Sequence, residues 1–172
     1  MSNNFNLKKF SYLVYGLGTT GQSVIKYFKK EKIYNFFVWD DNPKLRKKFK
    51  QKRIINLKKI LTKVDFIVLS PGISLRITKH KKELKNFRKK IITDIDLLFL
   101  NNKKFKSIVV TGTNGKSTTC KIITHLLKKN KINASLIGNI GKPVLDTKIT
   151  KNSYCVIEAS SYQLSHSKFI HP

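Results

Sequence analysis

Thr111-Gly112-Thr113-Asn114-Gly115-Lys116-Ser117-Thr118 sets glycines, a lysine and hydroxyl side chains directly behind the apolar run Ser107 to Val110. In a P-loop the backbone N–H groups of such a turn cradle phosphates, the lysine reaches the β and γ phosphates, and the serine holds Mg²⁺. Lys116 and Ser117 would take those parts here, which makes this a candidate ATP or GTP site. The spacing is tighter than the usual GxxxxGK[ST], since only two residues separate Gly112 from Gly115 and Val110 stands where the first glycine would be. A phosphate site of this kind also needs an acidic group near its metal, at the end of a neighbouring strand. Glu158 closes the apolar run Tyr154 to Ile157 and is placed to ligate Mg²⁺ directly or through water.

A second cluster, Gly16-Leu17-Gly18-Thr19-Thr20-Gly21, satisfies GxGxxG after an apolar run and ahead of a helical pattern. It offers a tight turn, close backbone approach to a phosphate and helix N-terminal amides aimed at an anion. Asp40 lies 19 residues after Gly21, at the end of the next apolar run, where an acid can meet a ribose or base. The pattern does not separate NAD from another diphosphate such as UDP. Ser70-Pro71-Gly72 ends a further apolar run and reads equally as a wall of that site or as an ordinary Pro-Gly turn. His80, His125, His166 and His171 have no partner at a spacing that implies chemistry.

Both turns require strands that end in glycine loops, and the chain supplies apolar strands alternating with amphipathic helices throughout. That alternation predicts an α/β fold with parallel sheets. The expected strands are 10–15, 33–39, 64–69, 91–93, 107–110, 134–137 and 154–157. The expected helices follow Gly21, cover Lys79 to Lys89 and Asp94 to Leu100, and run from Lys116 to about Lys129. A Rossmann-like parallel-sheet domain over 1–95 is thus followed by the start of a P-loop ATPase-type α/β domain over 96–172, with Asn101 to Lys104 as the linker.

Composition narrows the function classes. The apolar segments are short, far below the ~20 residues of a membrane span, and Met1 to Lys9 holds no secretory signal. Cys120 and Cys155 have no CxxC or histidine partner and read as buried thiols. The net charge of +27 invites a nucleic-acid reading. However, only four arginines, the residues suited to bidentate phosphate and base contacts, stand against 32 lysines scattered through the predicted helices and loops. A solvated basic surface is the expectation.

Taken together, these residues resemble the Mur ligases, whose shortened P-loop looks like Thr111 to Thr118. Gly16 to Gly21, Asp40-Asp41-Asn42-Pro43, Ser70-Pro71-Gly72-Ile73, Gly138-Asn139-Ile140-Gly141 and Glu158 to Leu164 occur in the order and spacing of the D-glutamate-adding members. A member that adds L-alanine would carry histidine in place of Asn114. The resemblance implies an ATP-dependent amide ligase of peptidoglycan biosynthesis that works through an acyl-phosphate. Its substrates would be UDP-N-acetylmuramoyl-L-alanine and D-glutamate, its cofactors ATP and Mg²⁺. Residue by residue, it implies ATP-binding by Gly112, Thr113, Asn114, Gly115, Lys116, Ser117 and Thr118, and metal binding by Ser117 and Glu158. It implies contacts to the UDP substrate from Leu17, Gly18, Thr19, Thr20, Asp40, Ser70, Gly72, Asn139 and Ser160, with Lys116 and Asn139 at the reaction itself.

The family's later histidine, its carbamylated lysine and its third, D-glutamate-binding domain have no counterpart before Pro172. The resemblance therefore implies a central domain that stops early and an isolated chain without ligase activity. The expected setting is a cytoplasmic monomer with neither nucleic-acid nor membrane partners. The competing readings are another Mur-type amino-acid ligase, an NAD-linked oxidoreductase that leaves the second turn unexplained, and a basic P-loop protein acting on nucleic acid.

Overall fold

The computed structural model describes residues 5–49, 52, 54, 56–101 and 105–172. The chain divides into two compact units, one ending at Asp94 and the other beginning at Ile95.

The first unit is a four-stranded parallel sheet with strands β1 (Tyr12–Tyr15), β2 (Phe36–Trp39), β3 (Phe66–Leu69) and β4 (Ile91–Ile92) in the order β2-β1-β3-β4. Helix α1 (Thr19–Lys30) follows β1, the short α2 (Pro43–Lys47) and α3 (Leu57–Lys63) lie between β2 and β3, and α4 (Lys81–Asn86) precedes β4. Every residue of β1 is fully buried, because a central parallel strand is covered on both faces and can be apolar throughout. The Phe28 ring of α1 lies tilted against Tyr12 at 4.8 Å and Phe36 at 5.4 Å, so an aromatic layer carries α1 on the sheet.

The strands of this unit are shorter than the apolar runs that predict them, and for β2 and β3 the ends of the preceding helices explain why. Ile33 is not in β2. Lys32 adopts φ 58° and the Ile33 N–H donates to Phe28 O at 2.8 Å, the bond that closes a Schellman cap, with Ile33 buried as its apolar anchor. The chain repeats the device after the later helix α6 (Lys116–Lys129), where Lys131 at φ 58° lets Ile132 N–H reach Leu127 O. Val64 likewise ends α3 instead of opening β3, its N–H held by Ile60 O. Helix α3 has no counterpart in the sequence expectations, although Asn56 is an N-cap that accepts from the Lys59 amide at 3.1 Å. The basic helix expected over Lys79 to Lys89 is α4 followed by a separate 3₁₀ turn, Arg88–Lys90.

The second unit contains β5 (Lys106–Val110), β6 (Ala134–Gly138) and β7 (Tyr154–Glu158), all parallel in the order β5-β7-β6, with α6 between β5 and β6. Helix α5 (Asp94–Leu100) precedes the boundary expected at Asn101 to Lys104 and belongs to the core of this unit. Ile95 and Leu98 pack with Ile137, Val144, Cys155 and Ile157, and buried Asp96 accepts the amides of Lys168 and Phe169 at 2.8 Å each. Of the linker expected at 101–104, residues 102–104 lie outside those described. A final short helix, α7 (Ser161–His166), follows β7. Among the described residues no helix is long and apolar enough to cross a membrane.

Both cysteines are buried and free. Burial pushes the Cys155 thiol up to about 11, and burial followed by the Glu158 charge raises that of Cys120. A raised thiol pKa means less thiolate, so at pH 8 a thiol reagent should label Cys155 about 100-fold more slowly in the native chain than in urea. Native rates equal to the denatured ones would contradict the buried placement.

Candidate functional site

In each unit the glycine turn sits at the carboxyl edge of a parallel sheet, the edge at which open α/β sheets bind ligands. In the first unit the chain leaves β1 toward β2 on one side and returns to β3 on the other. The switch point therefore falls between β1 and β3, whose following loops are Gly16 to Gly18 and Ser70 to Gly72. These loops are bonded together: Ser70 Oγ donates to Gly16 O at 2.9 Å and the Ser70 N–H to Tyr15 O at 3.0 Å.

The glycines are needed for closeness. A Cβ on Gly21 would lie 1.8 Å from Gly16 O, so α1 springs directly from the turn. Alanine in a helix is ordinarily favoured over glycine by roughly 1 kcal/mol. Here Gly21→Ala should instead destabilise the first unit by about 2 kcal/mol through overpacking. Urea unfolding followed by the emission of Trp39, the sole tryptophan, measures this, and an unchanged or raised midpoint would contradict the packing.

Gly18 caps α1 without a side-chain acceptor, and Gly18 and Thr19 are exposed. The first N–H groups of a helix lack intrahelical partners, so Gly18, Thr19 and Thr20 present a helix terminus able to receive phosphate oxygens. Leu17 and Asp40 have other tasks. Leu17 is buried and its N–H donates to Asp40 Oδ2 at 2.7 Å, while Asp40 Oδ1 takes the Asn42 N–H at 2.8 Å. The buried Asp40 carboxylate thus clamps the glycine turn to the end of β2. Gly72 is exposed on the loop after β3.

Sequence reasoning overlooked Asp41. Its carboxylate collects Tyr15 Oη at 2.6 Å, Thr78 Oγ1 at 2.7 Å, Trp39 Nε1 at 3.3 Å and the Lys79 N–H at 3.4 Å. Burial alone would raise the Asp41 pKa, but these bonds outweigh it and hold the group below the ordinary carboxylate range. Burial, reinforced by the bond to Asp41, pushes the Tyr15 phenol upward. The guanidinium of Arg46 lies 4.1 Å over the Trp39 ring and donates to Asp40 O at 2.9 Å.

In the second unit β7 lies between β5 and β6, which brings three loop starts together. Val110 and Gly138 both register against Glu158, Ala159 N–H donates to Val110 O, and Asn139 N–H donates to Glu158 O. Gly138 sits at φ 112°, with Glu158 O only 2.2 Å from where its Cβ would stand. The turn after β5 leaves Thr111 to Gly115 exposed, passes through Gly112 at φ 146°, and caps α6 with Gly115 at φ 75° and no side-chain acceptor. The first amides of α6 accordingly face solvent at an exposed, positive helix end. Lys116 Nζ folds over this turn, donating to Gly112 O at 2.7 Å and Thr113 O at 3.1 Å.

Ser117 Oγ donates to Glu158 Oε2 at 2.7 Å across 41 residues of sequence, and Glu158 is only 4% exposed. The pair fits Mg²⁺. Both donors are hard oxygens, and neighbouring ligands of an octahedral Mg²⁺ at ~2.1 Å lie about 3 Å apart, with waters and phosphates left to complete the shell. Asn139 is exposed at the same strand edge. Ser160 begins α7 as half of a capping box, its Oγ accepting from Gln163 N–H at 3.1 Å while Gln163 Oε1 takes the Ser160 N–H at 3.0 Å. His125 is exposed on α6, and His80 stands edge-on to Trp39 at 5.4 Å.

Comparison with known proteins agrees with this two-unit arrangement. Residues 10–93 match the description "Mur ligase MurD-like, N-terminal domain", and residues 110–171 match "Mur ligase middle domain". The UDP-N-acetylmuramoylalanine–D-glutamate ligase of Rickettsia prowazekii is 41% identical over 167 residues, spanning 91% of this chain and 36% of that protein. Its namesake in Rickettsia bellii is 43% identical over 164 residues, spanning 91% and 35%. The chain therefore spans about a third of the length of the curated relatives it matches. A solved murein peptide ligase from Psychrobacter arcticus superimposes with a TM-score of 0.41 at 16% identity, covering 89% of this chain and 39% of that one, a likeness too loose to bear on the site.

Proposed function

The chain belongs to the Mur ligase family, and on that footing we propose that it supplies the substrate-nucleotide unit and the ATP unit of a ligase joining D-glutamate to UDP-N-acetylmuramoyl-L-alanine. The observation that carries this reading is the Ser117–Glu158 pair at 2.7 Å beside Lys116, at the mouth of a helix whose glycine cap offers no side-chain acceptor. It stands in a chain whose relatives of that name match 91% of its length.

In this reading residues 1–95 take the UDP substrate. Its diphosphate lies against the exposed start of α1 at Gly18, Thr19 and Thr20, and Ser70 and Gly72 line the opposite wall of the switch-point crevice. Asp40 and the Leu17 amide act mainly by fixing that crevice, because each already holds the other. Residues 96–172 take Mg·ATP. The amides from Gly112 to Thr118 receive the phosphate oxygens, and the Lys116 ammonium moves from its carbonyls to the terminal phosphates. Ser117 and Glu158 would hold Mg²⁺, which when bound would supply charge neutralisation to the phosphates.

The chemistry has two balanced steps. A carboxylate oxygen of the L-alanyl substrate bonds to the γ-phosphorus as the bond to ADP breaks. The amine of D-glutamate then bonds to the acyl carbon, inorganic phosphate leaves and the amine gives up a proton. The chain's contribution is positioning and charge stabilisation, which carry most of phosphoryl-transfer catalysis. Asn139, exposed one residue beyond the strand end that registers with Glu158, is placed to orient the reacting carboxylate.

Calorimetric titration of the 172-residue chain tests the assignment of ligands. One site for UDP-N-acetylmuramoyl-L-alanine and one for Mg·ATP are expected, with no competition between them. Binding of NADH that the UDP substrate fails to displace would overturn the reading of the first unit.

A further inference from the structure

The segment from Pro71 to His80 leaves the sheet at the switch point and includes exposed residues, with Ile77 84% exposed. Both of its ends are nonetheless tied down. Ser70 bonds the start to Gly16 and Tyr15. At the far end the buried Thr78 gives its hydroxyl proton to Asp41, the Lys79 amide points at the same carboxylate oxygen, and His80 packs edge-on against Trp39. Asp41 thus draws donors from the end of β1, the end of β2 and the loop after β3, two on each oxygen.

Proton counting shows why a carboxylate stands there. The Tyr15 and Thr78 oxygens are 3.0 Å apart, yet each has one proton and both are directed to Asp41. The contact between the two hydroxyls has no proton of its own, so the ionised Asp41 is what draws them together. An amide in its place would offer one accepting oxygen and turn an N–H₂ group toward the donors on the other side.

We propose that Asp41 is a positioning residue: it latches the far end of the 71–80 segment to the sheet, and so holds Ser70 and Gly72 in place at the mouth of the UDP-substrate crevice. This inference rests on the reading of the first unit given above, but the latch itself has a readout that needs no ligand.

The experiment compares the whole chain with Asp41→Asn, Thr78→Val and the conservative Thr78→Ser. Amide hydrogen exchange over residues 72–79 is measured without ligand, and affinities for UDP-N-acetylmuramoyl-L-alanine and for Mg·ATP are measured by calorimetry. D41N and T78V should speed exchange of the segment at least tenfold and weaken the UDP substrate about tenfold, with Mg·ATP affinity unchanged. T78S should stay near the parent in all three. Unchanged exchange in D41N and T78V would overturn the latch. Faster exchange with unchanged affinity would overturn its positioning role. A parent chain that binds no UDP substrate would defeat the reading of the first unit and the positioning role with it, while the exchange data still decide whether the latch exists. Should Trp39 emission show that D41N fails to fold, T78V carries the test from the other end of the bond.

Discussion

Replacing Lys116 with alanine is expected to weaken Mg·ATP binding by about 100-fold and to leave binding of the UDP substrate in the first unit untouched. The ammonium already lies over the turn, 2.7 Å from Gly112 O and 3.1 Å from Thr113 O. On binding it exchanges two neutral carbonyls for phosphate oxygens, and hydrogen bonds between charged partners contribute about 1.5–3 kcal/mol each. Loss of about 3 kcal/mol corresponds to about two decades of affinity. Stability should change little, because the side chain is not in the core and alanine is a good helix former at the start of α6. Lys116→Arg should not restore affinity, since a planar fork cannot place a compact charge at the same point. Calorimetry with Mg·ATP gives the comparison, and affinity within threefold of the parent would remove Lys116 from the phosphate site.

The second large effect falls on the first unit. Asp40→Asn should destabilise it by about 1–3 kcal/mol and weaken binding of the UDP substrate. The buried carboxylate accepts from the Leu17 amide with one oxygen and the Asn42 amide with the other. An asparagine can satisfy only one of these and must point N–H₂ at the other, leaving a buried donor facing a donor at about 1–3 kcal/mol. One of the ties between the Gly16 to Gly18 turn and the end of β2 is then weakened, while the Gly16 N–H still bonds Trp39 O at 2.8 Å. Urea unfolding by Trp39 emission reports the stability, and the neighbouring tryptophan also reports the binding. A normal midpoint with normal affinity would show that the clamp is dispensable.

How much of this could be read from the sequence depends on how local the cause is. The exposed turn between β5 and α6 was legible because its glycines, lysine and serine lie close together, between an apolar run and a helical pattern. The nearness of Glu158 to Ser117 was legible at one remove, as a strand-end acid 41 positions further along the chain. The parallel α/β architecture followed from alternating apolar runs. The starts of β2 and β3 did not, because Ile33 and Val64 are apolar for the sake of helix caps, which the same residue types serve equally well. Helix α3 was missed despite the cap signal at Asn56. The contacts that seat α5 in the second core, such as Asp96 with the amides of Lys168 and Phe169, are long-range and no spacing announces them. Asp41 is the clearest case. Adjacent acids after a strand look interchangeable, and only the folded chain shows one facing the glycine turn and the other facing Tyr15 and Thr78.

The central claim is that the two glycine turns read different ligands, a UDP-linked substrate at Gly16 to Gly21 and the phosphate tail of ATP at Gly112 to Thr118. Backbone amide shifts of the isotope-labelled chain, recorded with each ligand in turn, test it most directly. Mg·ATP should move the amides of Gly112 to Thr118 and leave those of Gly18 to Gly21 in place, and UDP-N-acetylmuramoyl-L-alanine should move the amides of Gly18 to Gly21. Mg·ATP shifts centred on the first turn, or saturating Mg·ATP that leaves the amides around Gly115 unmoved, would contradict the account.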